Sequence, residues 1–135
     1  MTKKEQRLFN LARAVALCSE HRQFHVGCVI VNQKILAVAN NQTHSHPLQK
    51  KLNRLRFDLD DTCQNYLHAE LSAILKVKNT SQLKNASIYI YRETLTNEIA
   101  MSRPCPACLA KIKEVGIKTM YYTTQDGYSR EEIKV

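Results

Sequence analysis

His68-Ala69-Glu70 and, further along, Pro104-Cys105-Pro106-Ala107-Cys108 decide how this chain is to be read. Together they offer one imidazole, two thiols and a carboxylate, a set suited to a borderline-soft metal ion. Zinc takes Cys sulfur and His nitrogen in a tetrahedron, and a reactive zinc site keeps its fourth position for water. His68, Cys105 and Cys108 would fill three positions and leave Glu70 free to move protons. Cys105 and Cys108 are three apart, so on a helix they share a face. Pro104 and Pro106 bracket Cys105, and proline is tolerated in a first helical turn, where an amide hydrogen would lack a partner anyway. Both sulfurs then sit at the positive end of a helix, which favours the metal-binding thiolate. His68 and Glu70 are two apart and share no helical face. They converge only if a helix starts close to His68, with the site off its end.

Each part alone is weak. Cys-x-x-Cys fits half of a structural zinc site or a redox pair, and a lone helical His is more often structural. Their order, the proline before the first Cys and the strand expected before each helix favour a single joint site. A closed structural cage would need a fourth protein ligand and would leave Glu70 without a task.

Outward from these motifs, the pattern alternates helix and strand. Leu8, Leu11, Ala12, Val15 and Ala16 recur at helical spacing, predicting an amphipathic helix over 4–19. Residues 24–31 read as a buried strand, Asn32-Gln33 as a tight turn and 34–40 as the returning strand of a hairpin. The stretch 41–65 is polar and irregular, with Leu48, Leu52, Leu55 and Leu59 spaced for a short helix among Lys50, Lys51, Arg54 and Arg56. A second long helix begins between Asn65 and His68 and runs to about Lys78, with Leu67, Leu71, Ile74, Leu75 and Lys78 along its buried stripe. Residues 86–91 form a strand, 94–103 a loop, and a third helix runs from near Cys105 to Gly116, a natural left-handed cap. Residues 117–123 form a further strand. In the tail, Asp126-Gly127 marks a turn, and Ser129 with Glu131 and Glu132 predicts a last helical turn. With no repeats, linkers or low-complexity tracts, residues 1–135 are expected to form one α/β domain around a mixed sheet.

The ordered set H-x-E…P-C-x-x-C resembles the signature of the cytidine/deoxycytidylate deaminase superfamily, whose members also include tRNA adenosine deaminases and polynucleotide cytosine deaminases. The resemblance implies a three-layer α/β/α cytidine-deaminase-like fold with the first two strands antiparallel, and two helix N-termini pointing at one Zn2+. It implies that His68, Cys105 and Cys108 hold the zinc, which acidifies a water toward neutral pH. Glu70 then carries the water's proton to the ring nitrogen and the departing amine, an amino group becomes a carbonyl, and ammonia leaves. Val26-Gly27-Cys28 is similar to the family's first strand, where Val-Gly-Ala is usual. Asn41 stands where many relatives carry an Asn that contacts substrate sugar or base. His25, Ala69 and Arg103 are further candidate substrate contacts. A turn asparagine and a structural strand-end histidine are the plainer readings of Asn41 and His25.

Two departures from the family pattern bear on specificity. The segment 92–103 is longer than usual and is expected to overhang the site, with Arg92 or Arg103 near a phosphate. The insertion 41–65 carries His44, His46 and Cys63, potential ligands for a second, structural zinc of the kind some deoxycytidylate deaminases hold; a polar loop with a free thiol is the alternative. The tail is shorter than in several relatives, which implies a homo-oligomer.

Composition narrows the partners. Five cysteines without a secretory leader argue against a disulfide framework, and Cys18 and Cys28 read as small core residues. No run approaches the roughly 20 apolar residues of a membrane span, so no membrane partner and a cytoplasmic location are expected. A net charge of +8 suits a nucleotide or nucleic acid partner. The leading substrate is a free cytosine nucleoside or nucleotide such as deoxycytidylate, within nucleotide metabolism. A polynucleotide substrate is the alternative, supported by the basic run 50–56; against it stands an aromatic content of 7%, with no Trp for stacking exposed bases. A nucleic-acid-binding module with a vestigial zinc site is a third reading, which an intact Glu70 disfavours.

Overall fold

The computed structural model describes residues 1–21, 24–43, 46–52 and 67–133. Helix α1 (Lys3–Leu17) opens with a capping box. Thr2 Oγ accepts the Glu5 N–H at 3.0 Å and Glu5 Oε1 accepts the Thr2 N–H at 2.9 Å. Strands β1 (Phe24–Asn32) and β2 (Lys34–Asn40) form the expected antiparallel hairpin, turning at Gln33 in the left-handed region, φ 65°. A bulge between Ile30 and Val31 shifts the register. Then come the short helix α2 (Pro47–Leu52), helix α3 (Ala69–Lys76), a 3-10 turn at Thr80–Leu83 and β3 (Ser87–Thr94). Helix α4 (Pro106–Val115), β4 (Thr119–Thr124) and β5 (Gly127–Glu132) complete the order.

The five strands form one mixed sheet in the order β2-β1-β3-β4-β5. Only β3 and β4 are parallel, joined by the α4 crossover; β1 is antiparallel to both β2 and β3. Side-chain alternation sorts the core into two layers. Val29, Val31, Tyr89 and Tyr91 pack under α1 through Leu8, Phe9, Ala12 and Ala16. Cys28, Ile30, Ile88 and Ile90 face the other way and pack with Ala69, Ala73 and Ile74 of α3 and Ile112 of α4. The expected α/β/α sandwich is therefore observed.

Three local expectations are corrected. The tail forms no helical turn: residues 127–132 are strand β5, paired antiparallel with β4 from Thr124↔Gly127 to Thr119↔Glu132. Backbone pairing wins because the Gln125-Asp126 turn brings the chain straight back along an edge that needs no apolar alternation. Cys18 is exposed at the C-cap of α1 rather than in the core. Leu75 lies outside the buried stripe of α3, 48% exposed, because the helix ends at Lys76 with Ala73 and Ile74 facing the sheet and Leu71 packed against Leu67 and Cys108. Leu55, Leu59, Arg54 and Arg56 of the basic insertion lie outside the described residues, as do His44 and Cys63 of the second-zinc set. His46 is described: its ring Nδ1 accepts the Leu48 N–H at 3.1 Å. No helix among the described residues is long and apolar enough to cross a membrane.

Candidate metal centre

Two helices deliver the site residues by their first turns. His68 is the N-cap of α3, in extended conformation, which makes Glu70 the second residue of the helix. Cys105 is the N-cap of α4, Pro106 is its first residue, and Cys108 follows on the third position. Extended backbone at each N-cap turns the ligand off the helix end, so His68 and Glu70 converge despite their two-residue spacing. The far end of α4 stops at Gly116, φ 90°, as a left-handed cap requires.

His68 Nδ1 lies 3.3 Å from Cys108 Sγ and 3.7 Å from Cys105 Sγ. The three ligand atoms all lie within 4.8 Å of one another. With Zn–S about 2.3 Å and Zn–N about 2.0 Å, neighbouring ligand atoms of a tetrahedral zinc stand roughly 3.5 Å apart. The two N–S distances bracket that edge and the S–S separation lies within 4.8 Å, so the donor set has a chemistry and a spacing that zinc accepts. Among the described residues the cluster contains no fourth His, Cys or acidic ligand. The set therefore leaves one corner of a tetrahedron open.

Electrostatics divide the cluster. The Cys108 side chain, by hydrogen bonding, holds the Cys105 thiol down at about 4, and His68 adds to the effect. The same contact and burial push Cys108 up. Burial pushes the Glu70 carboxyl up from its ordinary range, with Cys105 adding to the rise and His68 opposing it. Glu70 is 5% exposed and is not one of the clustered ligands. A carboxyl held this way, beside but off the ligand set, is suited to taking and giving a proton.

The remaining sequence candidates fall into distinct places. Ala69 is fully buried at the first position of α3. Asn41 is buried and its amide is engaged within the fold. Its Oδ1 accepts from the Val26 N–H at 3.0 Å and Ser19 Oγ at 2.6 Å, and its Nδ2 donates to the Phe24 carbonyl at 3.2 Å. It extends the β1–β2 pairing at the site end of the sheet. His25 alternates onto the α1 side of β1, opposite Glu93 in the β1–β3 register. Arg103 points to β5, its Nε 2.8 Å from Glu131 Oε2.

Arg92 lies closer to the chemistry. It shares the sheet face of Ile88 and Ile90 at the end of β3, and the Glu70 charge is felt at its guanidinium. Its Cζ sits 4.3 Å over the Phe24 ring, and one terminal nitrogen donates to the Met101 carbonyl at 3.3 Å. Its Nε is buried with no hydrogen-bond partner among the described residues. His21 stacks on Phe24 at 4.5 Å, and burial, then the neighbouring charges of His25, His68 and Arg92, hold its pKa down.

The segment 95–103 folds back on its own strand. Glu93 bridges Ile99, the Ala100 N–H donates to Arg92, and Ser102 is locked between β3 and β4. Ser102 Oγ donates to the Ile90 carbonyl at 2.9 Å and accepts the Thr123 N–H at 2.7 Å. Two residues later comes Pro104-Cys105, so this buried hydroxyl anchors the approach to the first thiol. Neither Ser102 nor Thr123 stands out in the sequence, where both read as ordinary loop and strand-end residues.

Residues 2–124 match the family described as the cytidine and deoxycytidylate deaminase zinc-binding region. A probable deoxycytidylate deaminase of Caenorhabditis elegans is 29% identical over 126 residues, covering 89% of this chain. The match spans 57% of that relative's length. The crystal structure of dCMP deaminase from the cyanophage S-TIM5 in apo form superposes with a TM-score of 0.61 at 21% identity, covering 92% of this chain and 86% of the other. The same phage enzyme in complex with dCMP and dUMP gives a TM-score of 0.60 at 21% identity, covering 92% and 84%. The phage structures carry the fold, and the family match carries the membership: this chain belongs to the cytidine and deoxycytidylate deaminase zinc-binding family.

Proposed function

We propose that this protein is a zinc-dependent hydrolytic deaminase of a cytosine nucleotide, deoxycytidylate first. The observation that carries the reading is the three-ligand cluster of His68, Cys105 and Cys108, with buried Glu70 beside it and outside it. A zinc ion held by those ligands supplies Lewis acidity and brings the pKa of a water toward neutrality. Glu70 takes the proton of the attacking water and passes it to the ring nitrogen next to the amino-bearing carbon. It then takes the remaining proton of the added hydroxyl, as the C=O forms and the C–N bond breaks, and hands it to the departing amine. Cytosine plus water gives uracil plus ammonia, and Glu70 ends in its starting state. The elevated Glu70 pKa serves both halves of that task, since the group must accept a proton and then release it.

Three things support the nucleotide over a nucleoside. Relatives are named for deoxycytidylate, and the phage enzyme was solved with dCMP and dUMP. The chain carries a net charge of +8. Arg92 brings a guanidinium to the site end of β3 with its Nε unpaired among the described residues, and we assign it the substrate phosphate in preference to Arg103, which Glu131 holds. Zinc-loaded protein should release ammonia from dCMP, with a lower kcat/KM on deoxycytidine. Ammonia release from short single strands or adenosine, and none from dCMP, would replace this reading with the polynucleotide one. Tight salt-dependent nucleic acid binding with no turnover of any base would leave only a binding module. Self-association belongs to the same reading, and a monomeric mass at micromolar concentration would contradict it.

A further inference from the structure

α1 and α3 secure their N-caps differently. In α1 the third residue, Glu5, reaches back to the Thr2 N–H. In α3 the third residue is Leu71, which has no acceptor, and the N-cap His68 makes no side-chain capping bond. The His68 N–H is accepted instead by a residue from another helix: Gln49 Oε1 of α2, at 3.1 Å. Gln49 is fully buried, an environment in which an amide is costly unless bonded. Its neighbour Leu48 packs against the cluster formed by Leu67, Leu71 and Cys108, which Cys105 also borders. The Gln42 N–H donates to the carbonyl of Leu67, one residue before His68, at 2.9 Å. The backbone entering α3 is thus gripped from outside the helix on both sides of the Leu67–His68 peptide.

We propose that Gln49 is a positioning residue for the zinc ligand His68, supplying from α2 the acceptor that a capping-box Glu or Gln would supply within the helix. The inference rests on the reading that His68, Cys105 and Cys108 hold zinc. A ligand on an N-cap residue has its backbone half outside the helix, so its orientation is only as fixed as the contacts on that backbone. A coordination site needs its ligands within about 0.5 Å of their places. The bond from Gln49 holds the His68 backbone in the extended conformation, φ −71° and ψ 155°, that brings Nδ1 to both sulfurs.

The test uses cobalt(II) titrated into the chelator-stripped full chain. Thiolate-to-cobalt charge transfer and visible d–d bands report the geometry, and chelator competition reports the affinity. Gln49→Met, which matches the shape but accepts no such bond, should weaken metal binding by about 10–100-fold and lower the tetrahedral d–d intensity. Gln49→Glu, which keeps the acceptor, should restore both to near wild type. If Gln49→Met melts below the working temperature, Gln49→Asn carries the same prediction, because its amide falls one methylene short. Wild-type affinity and spectrum in Gln49→Met or Gln49→Asn would overturn the proposal, as would equal loss in Gln49→Glu, which would assign the effect to packing. Failure of the wild-type protein to bind cobalt or zinc at all would show the zinc reading itself to be wrong, and the proposal would fall with it.

Discussion

Gly27 of β1 lies directly beneath Ala12 of α1: a Cβ on Gly27 would stand 2.0 Å from the Ala12 carbonyl oxygen and 2.6 Å from the Ala16 amide nitrogen. Both obstacles are backbone, so no side-chain rotation relieves them. Gly27→Ala should lift α1 off the sheet and destabilise the protein by about 3 kcal/mol or more, at the upper end for overpacking. A melting temperature within about 2 °C of wild type would show that the contact is looser than described.

Glu70→Gln should keep one zinc per chain and lose turnover by at least about 10²-fold, since the amide preserves shape but cannot accept and return a proton. Metal analysis and ammonia release on the same sample separate the two quantities. Loss of zinc along with activity would place Glu70 among the ligands.

Thiol chemistry should report the ion. In the stripped protein at pH 6, above the value of about 4 to which the Cys108 contact lowers its thiol, Cys105 should be carbamidomethylated by iodoacetamide. Zinc should protect it. In a second labelling at about pH 8.5, where ordinary thiols ionise, exposed Cys18 should be modified with or without zinc, and buried Cys28, whose thiol is pushed up by burial, in neither state. Peptide mass analysis distinguishes the sites, and equal labelling of Cys105 in both states would contradict metal ligation by that residue.

The Arg103–Glu131 pair should matter little and in one pH direction. Arg103 holds the Glu131 carboxyl below its ordinary value, so its contribution is present above the ordinary carboxylate pKa and is lost as pH falls through the lowered one. Both side chains are a third or more exposed, which screens the interaction to about 0.5 kcal/mol or less. Glu131→Gln should therefore lower the melting temperature by no more than about 2 °C at pH 7, with the difference closing toward pH 3. A larger loss at pH 7 would mean that β5 depends on this pair.

The His68, Cys105 and Cys108 cluster and the layered fold were legible because each has a periodic or spaced signal. Cys105 and Cys108 share a helical face by spacing, and β1 and β3 alternate cleanly between two apolar layers. Strand β5 was not legible, because Gly127 to Glu132 alternate in burial but carry no apolar alternation, and pairing to one neighbour needs no apolar stripe. Gln49 and Ser102 carried no signal either. Each acts through hydrogen bonds to backbone brought near by the tertiary fold, and a polar residue in a short helix or loop looks the same with or without such partners.

The two helix starts that meet at the centre share an unusual choice: neither His68 nor Cys105 makes the side-chain capping bond that Ser, Thr, Asp or Asn would make in its place. Each omission forgoes about 1 kcal/mol of local stability. The opening turns of α4 and, less so because Gln49 and Gln42 hold its entry, of α3 are therefore the places where the stripped protein should fray first, and a metal held by His68, Cys105 and Cys108 should sew them shut. Under the proposed zinc reading the ion would be a structural clasp as well as a reagent, and demetallation should loosen the very groups that would recapture it.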